Sequence, residues 1–372
     1  MESKIQEGTT KFFSSNKAFY NPRMEFSRDL SVLLAKTFQK KAGKKLVVAD
    51  VLAGSGIRGL RYLKELPAKK AFLNDLNPNT AKLARKSIKL NKLNAGRLVL
   101  SRKDANAFLS MHKYDKFDLI DLDPFGSPSA FFDSSSRSIS PKNGFFTATA
   151  TDLGALSGSF PKAGKRKYGI LTIKTPCFPE LQARALIASS IQSFAKNSIA
   201  LKPVFGHASE HFIKIYCITD AGRSKADEAL KQLKYLLYCP ECAEQAFYSL
   251  NELPNASCYC KKKKLQAGGP YFTGSLFDKE FLKTALKELP GMKLNSKERI
   301  QKDLLLALQE IETPLFFETH AIAQKHKTKL MPLEKIIQDL KARGFNASKT
   351  LFSPTGVKSD ASLKDFLKAM KE

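Results

Sequence analysis

Short apolar runs and longer helical patterns follow one another along the first half of the chain. Five runs rich in Val, Ile, Leu, Phe or Ala predict buried strands, at residues 46–52, 71–75, 97–101, 117–122 and 144–151. Apolar positions at helical spacing predict helices at residues 25–39, 60–66, 79–90 and 179–197. Strands that alternate with helices in this way indicate an α/β fold.

The predicted sheet ends differently from that of a dinucleotide dehydrogenase. Residues 201–207 and 211–219 are two further strand-like runs with only a short turn between them. Strands joined by a short turn are antiparallel, whereas a dehydrogenase would continue with another parallel unit. The pattern therefore predicts a Rossmann-like domain with an antiparallel terminal hairpin, the class I methyltransferase arrangement.

The character of the chain changes near residue 225. Helical patterns at residues 277–289, 298–311, 319–326 and 333–343 are followed by a possible hairpin at residues 348–356. Two short helices before a hairpin resemble a winged-helix unit, which commonly binds nucleic acid, and a plain helical support domain is the alternative. We expect a ligand-binding domain at 1–228, a four-cysteine segment at 229–270 and a C-terminal α+β domain at 271–372.

Several predicted strands end in groups that suit a nucleotide-like ligand. The first strand runs into Gly54, Ser55 and Gly56, and glycines at such a turn let the backbone approach a ligand closely. The second strand ends at Asp75, 19 residues after Gly56, where an acid accepts hydrogen bonds from ribose hydroxyls. The third strand leads to Asp104 and Ala105, which suit an adenine amine and ring. With the antiparallel finish, this pattern favours S-adenosylmethionine as the ligand.

Two arginines are candidates for the methionine carboxylate of that ligand, or for the wall of its cleft. Arg58 follows the glycine turn, and Arg23 lies in a loop that precedes the first predicted helix. The polar residues that lead into this loop predict no helix or strand of their own. An ordinary surface position is the alternative for Arg23.

The fourth strand ends in the string Asp121-Leu122-Asp123-Pro124-Phe125-Gly126-Ser127-Pro128. Asp123 and the Pro124 carbonyl are acceptors, and Phe125 offers a flat apolar face beside them. An acceptor next to a stacking surface suits the exocyclic amine of a nucleobase. The lone pair of such an amine is delocalised into the ring, and it must localise on the nitrogen before the amine can attack a methyl group. A turn rich in Asp, Pro and Gly is the alternative.

Four of the six cysteines lie close together in the sequence, at Cys239, Cys242, Cys258 and Cys260. Two pairs of thiolates on hairpin turns indicate a tetrahedral structural zinc site, with free thiols as the alternative. His207 to His211 match a zinc-protease pattern, but that pattern requires a helix, and these residues border a strand, so we interpret the match as chance.

The charge of the chain points to a polyanionic partner. Lys and Arg number 62 against 35 Asp and Glu, which gives a net charge of +27. Such an excess favours nucleic acid over a membrane, because no apolar run is long enough to span a bilayer. The first residues carry no apolar signal region, so we expect a cytoplasmic protein without a membrane segment, and no protein partner is predicted.

Several motifs together resemble one family, the tRNA guanine-26 N2-dimethyltransferases, especially those of archaea. The motifs are Tyr20-Asn21-Pro22-Arg23-Met24, Ser55-Gly56-Ile57-Arg58-Gly59, Asn74-Asp75, Asp104-Ala105-Asn106, Asp121 to Pro128, Thr149-Ala150-Thr151-Asp152, Thr313 to His320 and Phe352-Ser353-Pro354-Thr355-Gly356. The resemblance implies S-adenosylmethionine as methyl donor, tRNA as substrate, two successive methylations of one amine and a family-specific C-terminal domain. It also implies that Arg23, Arg58, Asp75, Asp104 and Ala105 bind the cofactor and that Asp123 is the catalytic acceptor.

The chain departs from the family pattern at two places. Many members carry a four-cysteine zinc site, and here its second pair is shortened to Cys258-Tyr259-Cys260. Ser157 stands where a cysteine is common in the family, so that position is assigned no role. A DNA amino-methyltransferase and a non-catalytic zinc-ribbon RNA-binding protein remain the alternative functions.

Overall fold

The structure is a computed structural model that describes residues 2–209, 211–253, 258, 260 and 265–371 of the chain. Its strands are β1 (Glu2–Glu7), β2 (Thr10–Ser15), β3 (Val47–Asp50), β4 (Lys70–Asn74), β5 (Leu98–Ser101), β6 (Leu119–Leu122), β7 (Phe145–Ala150), β8 (Ile199–Ala208), β9 (Ile213–Ala221), β10 (Leu233–Tyr238), β11 (Gln245–Tyr248), β12 (Gln266–Phe272), β13 (Phe317–Glu318), β14 (Ala347–Thr350) and β15 (Ser353–Ser359).

Helices connect and cover these strands. They are α1 (Glu25–Ala42), α2 (Ile57–Glu65), α3 (Pro78–Leu90), α4 (Ala105–Met111), α5 (Phe132–Ser138), α6 (Leu153–Leu156), α7 (Pro161–Tyr168), α8 (Phe178–Ala195), α9 (Arg223–Lys231), α10 (Lys279–Glu288), α11 (Lys297–Gln309), α12 (Thr319–His326), α13 (Leu333–Ala342) and α14 (Leu363–Ala369). Among the described residues, no helix is both long and apolar enough to cross a lipid bilayer.

The largest sheet has seven strands in the order β5-β4-β3-β6-β7-β9-β8. Strands β3 to β7 pair in parallel, while β9 pairs antiparallel with both β7 and β8. This order confirms the predicted α/β fold with an antiparallel terminal hairpin. The chain reverses direction across the sheet between β3 and β6, and ligands of open α/β sheets bind beyond the carboxyl ends of such neighbouring strands.

Two groups of helices cover the faces of this sheet. Helices α1, α2 and α3 contact one another in sequence, and α4, α5 and α8 form a second connected group. The apolar side chains of α8 are buried around most of its surface, because it packs between β8 of the main sheet and β12 of the next one. The core is therefore continuous from the main sheet into the residues that follow it.

The N-terminal residues correct the sequence prediction. The polar lead, for which no element was predicted, forms the antiparallel hairpin β1–β2. Gly8 makes its turn with a φ of +54°, and the alternate residues Thr10, Phe12 and Ser14 point inward. The hairpin packs on α2 and α3, so burial by neighbouring elements outweighs the low strand preference of its Lys, Glu and Gln residues.

The second half of the chain contains two smaller antiparallel sheets. One has the order β11-β10-β12, and the other has the order β13-β15-β14 beside α12 and α13. The predicted pair of helices followed by a hairpin is confirmed as local structure. Helix α9 and strand β12 extend across the predicted borders at residues 228 and 270, and the domain division itself stays a prediction.

A buried ion cluster joins the two halves. Glu180 of α8 accepts hydrogen bonds from Arg184 at 2.7 Å and from Lys358 of β15 at 3.0 Å. Lys358 also pairs with Glu310 at 2.7 Å. Burial alone would raise the pKa of Glu180, but the charges of Lys358 and Arg184 lower it. Glu180 is therefore ionised in the fold, and one of its carboxylate oxygens binds cations from both halves.

Candidate active site

A cavity of about 680 Å³ lies beyond the carboxyl ends of β3 to β6. Nine residues that the sequence singled out line it together: Gly54, Ser55, Arg58, Asp75, Asp104, Ala105, Asp123, Pro124 and Phe125. The predicted cofactor groups and the predicted catalytic loop therefore share one space. Two other candidates, Arg23 and Gly56, are not among the residues that line this cavity.

The glycine turn is shaped by the loop that precedes α1. Gly54 has a φ of +55°, and a Cβ added to it would lie 2.9 Å from the backbone oxygen of Phe19. The next backbone N–H, that of Ser55, donates to this same Phe19 oxygen at 2.9 Å. Only glycine fits at position 54 because the two backbone segments approach so closely. Gly56, with a φ of +79°, caps α2 and gives the turn its shape.

The two acids predicted to bind the cofactor are held in place by backbone N–H groups. Asp75 accepts from the N–H of Gly54 at 2.7 Å with one oxygen and from that of Asn77 at 2.8 Å with the other. Asp104 caps α4, where one of its oxygens accepts from the backbone of Asn106 and Ala107. Each carboxylate keeps lone pairs for a ligand, since a carboxylate has about four acceptor sites.

Asp123 is bound to a buried arginine. The Nη2 of Arg58 donates to Asp123, and its Nη1 lies 3.4 Å from Asp121 and donates to the hydroxyl of Ser31 at 3.1 Å. Sequence reasoning assigned Arg58 to the methionine carboxylate or the cleft wall. In the structure it lines the wall and orients the carboxylate of Asp123, because its guanidinium is engaged by two aspartates.

Behind this pair lies a second layer of charges. Asp121 accepts from the hydroxyl of Tyr62 at 2.6 Å and from Lys214 of β9 at 3.0 Å. Sequence reasoning missed Lys214, because its partner Asp121 is 93 residues away and only the pairing of β9 beside β7 brings them together. The signal available in the sequence was a charged residue, Lys214, inside the apolar run of a predicted strand.

Burial and neighbouring charges shift the pKa values of two carboxyl groups of the cavity, Asp123 and Asp50, in opposite directions. Burial would raise the pKa of Asp123, but the charges of Arg58 and Lys214 outweigh burial and lower it. For Asp50, burial dominates and, with help from Asp121, raises the pKa to about 7 despite the nearby Arg58 charge. Asp123 is therefore an ionised hydrogen-bond acceptor at neutral pH, whereas Asp50 is partly protonated there.

Two exposed aromatic rings face each other at this cavity. The rings of Phe19 and Phe125 have centroids 4.3 Å apart with an angle of 72° between their planes, although their residues are 52% and 76% exposed. The loop of Phe125 is fixed because the N–H of Gly126 donates to the Thr151 hydroxyl at 2.7 Å. The sequence alone assigned no role to Phe19. Its only signal there was an aromatic side chain in the loop that precedes α1.

The arginine that lines the cavity near the loop before α1 is not the predicted one but a residue of helix α1 itself. Arg23 is exposed, and its backbone N–H donates to the side chain of Asn21. Arg28 lines the cavity, donates to the backbone oxygen of Asn21 at 3.0 Å and pairs with Glu7 of the N-terminal hairpin. The assignment of Arg23 to the cofactor stays a prediction.

The chain is similar to known proteins over almost its whole length. The family described as N2,N2-dimethylguanosine tRNA methyltransferase matches residues 1–371. The chain belongs to this family. A tRNA (guanine(26)-N(2))-dimethyltransferase of Methanobrevibacter smithii is 34% identical, over 99% of this chain and 96% of that protein. Its counterpart from Methanocaldococcus jannaschii is 35% identical, over 95% of this chain and 92% of that protein.

A solved structure supports the same membership. Trm1 from Pyrococcus horikoshii, determined in complex with S-adenosyl-L-methionine, superposes with a TM-score of 0.89 at 30% identity, and each chain is covered in full. The resemblance inferred from the sequence motifs is thus confirmed. Because the whole length of both chains is matched, the likeness extends to the C-terminal half and is not confined to the main sheet.

The four-cysteine segment of this family member fits a zinc ion. The Sγ atoms of Cys239, Cys242, Cys258 and Cys260 all lie within 4.8 Å of one another. Tetrahedral coordination with Zn–S bonds of about 2.3 Å places sulfurs about 3.8 Å apart, so the spacing suits that ion. Cys258 and Cys260 lie 3.3 Å apart at Sγ, which shows that the shortened second pair still converges. Four sulfurs would fill the coordination sphere of the ion, which would make the site structural.

The described residues of the zinc-protease pattern at residues 207–211 do not lie in a helix. His207 lies in β8 and is buried, and His211 lines the main cavity, while Glu210 lies outside the described residues. Within the described parts of the chain, the only group of three or more potential metal ligands is the cysteine cluster. The strand at His207 agrees with the interpretation of this match as chance.

Proposed function

We propose that this chain transfers two methyl groups in succession from S-adenosylmethionine to the N2 amine of guanine 26 in tRNA, and that it does so in the cytoplasm. The observation that carries the proposal is that the glycine turn, the acids beside it and the Asp123-Pro124-Phe125 loop line one cavity. Donor and acceptor must meet in such a space, because transfer requires the methyl carbon and the amine nitrogen to be in line.

The cofactor would lie across the ends of three strands. Gly54 and Ser55 would receive its methionine part, Asp75 its ribose hydroxyls, and Asp104 with Ala105 its adenine. When bound, S-adenosylmethionine supplies an electrophilic methyl group on a positively charged sulfur. The carboxylates that line the cavity favour that positive charge, since opposite charges attract more strongly away from bulk water.

Asp123 and Pro124 would activate the target amine. The guanine N2 lone pair is delocalised into the ring, and it becomes nucleophilic as the nitrogen pyramidalises. Acceptance of one amine hydrogen by Asp123 and of the other by the Pro124 carbonyl stabilises that geometry. As the N–C bond forms, the electrons of the S–C bond stay on sulfur and the nitrogen releases a proton toward Asp123.

Phe125 and Phe19 would hold the base. A guanine inside folded RNA must leave its stack before it can enter the cavity, at a cost of a few kcal/mol. Stacking on exposed aromatic rings offsets this cost and fixes the plane of the base. The excess of basic residues and the C-terminal helix-and-hairpin unit would contribute backbone contacts to the tRNA.

The test is the exchange Asp123→Asn, which removes one charge and keeps the size of the side chain. We expect kcat for methylation of unmodified tRNA to fall by about 10²–10⁴-fold, while the affinities for S-adenosylmethionine and tRNA change little. Asp115→Asn is the matched control, because Asp115 is exposed and precedes β6 at the opposite edge of the sheet.

Mass spectrometry of nucleosides from the treated tRNA gives the readout. The native protein should yield N2-methylguanosine and then N2,N2-dimethylguanosine at position 26, and duplex DNA should stay unmodified. Undiminished turnover by the Asp123→Asn variant would contradict the assigned role, and modification of DNA in place of tRNA would contradict the proposed substrate.

A further inference from the structure

The segment that follows β7 carries an uneven charge. Residues 153–179 include Lys162, Lys165, Arg166, Lys167 and Lys174, but no Asp or Glu. The formal charge of residues 153–179 is therefore entirely positive. The segment comprises α6, α7 and the turns that lead into α8.

Most of these cations are available to a partner. Lys162, Lys165, Arg166, Lys167 and Lys174 are all exposed. Lys167 pairs with Asp152 at 2.9 Å, whereas the other four form no ion pair with any carboxylate in the part of the chain that the structure describes. Unneutralised cations on one short segment produce a positive surface that attracts an anionic polymer.

An aromatic ring lies on the same segment and is held in a fixed position. Phe160 is 67% exposed, and a Cβ added to Gly154 would lie 2.5 Å from the Phe160 ring. The ring therefore rests on the backbone of Gly154, and the N–H of Phe160 donates to the Gly154 oxygen at 2.9 Å. One face of the ring is supported, and the exposed remainder can receive a planar group.

This ring borders a second cavity, of about 440 Å³, that adjoins the active site. Phe160 and Lys167 line the second cavity together with Thr151 and His211, and the last two also line the main cavity. Thr151 further exchanges hydrogen bonds with Gly126 of the catalytic loop, at 2.7 and 2.9 Å. A chain that enters the main cavity can thus continue over Phe160 toward the basic helix α7.

We propose that this surface, formed by residues 151–174, binds the nucleotides next to the target guanine. Phe160 stacks on a neighbouring base, and Lys162, Lys165 and Arg166 contact the phosphates. The inference rests on the proposed function, since a displaced guanine in the cavity fixes where its neighbours lie. Single-stranded nucleic acid is commonly bound by this combination of an aromatic platform and a positive groove.

The test compares Phe160→Ala with Tyr114→Ala, an exposed aromatic residue that precedes β6 at the opposite edge of the sheet. We expect Phe160→Ala to weaken tRNA affinity and to lower kcat/KM by roughly tenfold to hundredfold. Tyr114→Ala should change neither. Titration with S-adenosylmethionine should give native affinity for both variants, which shows that the main cavity is intact.

The charges are tested by Lys162→Gln, Lys165→Gln and Arg166→Gln combined. The control combines Lys45→Gln, Lys69→Gln and Lys113→Gln, which are exposed and precede β3, β4 and β6. The first set should reduce the slope of log Kd against log salt by roughly 2 to 3, since each lost phosphate contact removes about 0.7 to 0.9. The second set should leave the slope unchanged.

Failure of this inference can be distinguished from failure of the proposed function. If the native protein methylates tRNA and the Phe160→Ala and triple variants bind and methylate it equally well, the surface does not bind RNA. If the triple variant loses affinity for polyglutamate or for anionic vesicles but keeps tRNA affinity, the partner is an acidic protein or a membrane. If the native protein does not methylate tRNA, the proposed function itself is wrong.

Discussion

His207 is a neutral histidine inside an aromatic environment. Its ring packs against Phe26, Phe205 and Phe212, with centroids 5.4–5.9 Å away, and its Nε2 has no hydrogen-bond partner among the described residues. Burial, together with the charges of Lys214 and Arg299, lowers the pKa of His207 to about 3. Its ordinary pKa is about 6.5, so the unfolded chain binds a proton there that the folded chain rejects.

This difference predicts that acid destabilises the fold through His207. The free energy of unfolding should fall as the pH decreases below 6.5, by about 2 kcal/mol between pH 8 and pH 5 from this residue alone. His207→Phe should remove that part of the pH dependence. Urea unfolding followed by circular dichroism at both pH values measures it, and equal losses for the native protein and the variant would contradict the prediction.

The predicted acids that line the main cavity share one property: each follows a strand. Asp75, Asp104 and Asp123 could be predicted because parallel strands place their carboxyl ends at one edge of the sheet. Phe19 and Lys214 could not, since the first lies in an irregular loop and the second faces Asp121 only after the whole sheet has formed. A local sequence pattern can therefore identify a site residue when the fold fixes where that position lies, as it does at the carboxyl end of a parallel strand.

The N-terminal hairpin supports the site without lining it. Glu7, at the end of β1, is buried and pairs with Arg28 through both of its carboxylate oxygens. It also accepts from the hydroxyl of Tyr20 at 2.9 Å. Because Arg28 binds the backbone of Asn21, this one carboxylate holds the loop that carries Phe19.

We predict that Glu7 acts as a positioning residue. Glu7→Gln keeps an acceptor but removes the charge that orients Arg28, so the Phe19 loop should loosen. We expect kcat for tRNA methylation to fall about tenfold with little change in tRNA affinity. Glu2→Gln on the same strand is the control, because Glu2 pairs with Lys86 at the exposed end of the hairpin.

Hydrogen exchange separates this role from general destabilisation. In the Glu7→Gln variant the backbone amides of the loop between β2 and α1 should exchange faster, while those of β3, β4 and β6 keep their protection. Uniformly faster exchange throughout the main sheet would mean that Glu7 stabilises the fold and does not act on the loop specifically.

Elements with strong periodicity could be predicted, and short polar ones could not. The five parallel strands, α1, α3, α8, α12 and α13 lie within a few residues of their predicted positions. The hairpin β1–β2 and helix α9 were missed, because their sequences are mostly polar and tertiary contacts decide their structure. Those contacts are not visible in a local window of sequence.

At the scale of the molecule, the cysteine segment connects the two halves. Strand β12 forms a bridge through Gly269 to Leu171 of the first half. On the other side, helix α12 reaches the first cysteine knuckle: Lys325 donates to the oxygen of Pro240, and a ring nitrogen of His326 lies 2.8 Å from the oxygen of Cys242. The ion cluster of Glu180, Lys358 and Glu310 is another connection between the halves.

Loss of zinc should therefore loosen one connection and leave the main cavity intact. Zinc removal by a chelator, or the exchange Cys242→Ser, leaves the remaining cysteines without the ion that holds the knuckle, and structural zinc sites contribute directly to folding. Backbone amides of β10, β11 and α12 should then exchange faster. The methylation of tRNA should decrease, because the C-terminal half is no longer held in its position relative to the first half. Affinity for S-adenosylmethionine should stay native, since the main cavity contains none of these elements.

A chelator added to Cys242→Ser should cause no further change. If metal analysis of the native protein finds no zinc, or if chelation leaves the exchange of α12 unaltered, the cysteines stabilise this region as thiols and the ion plays no part in joining the halves.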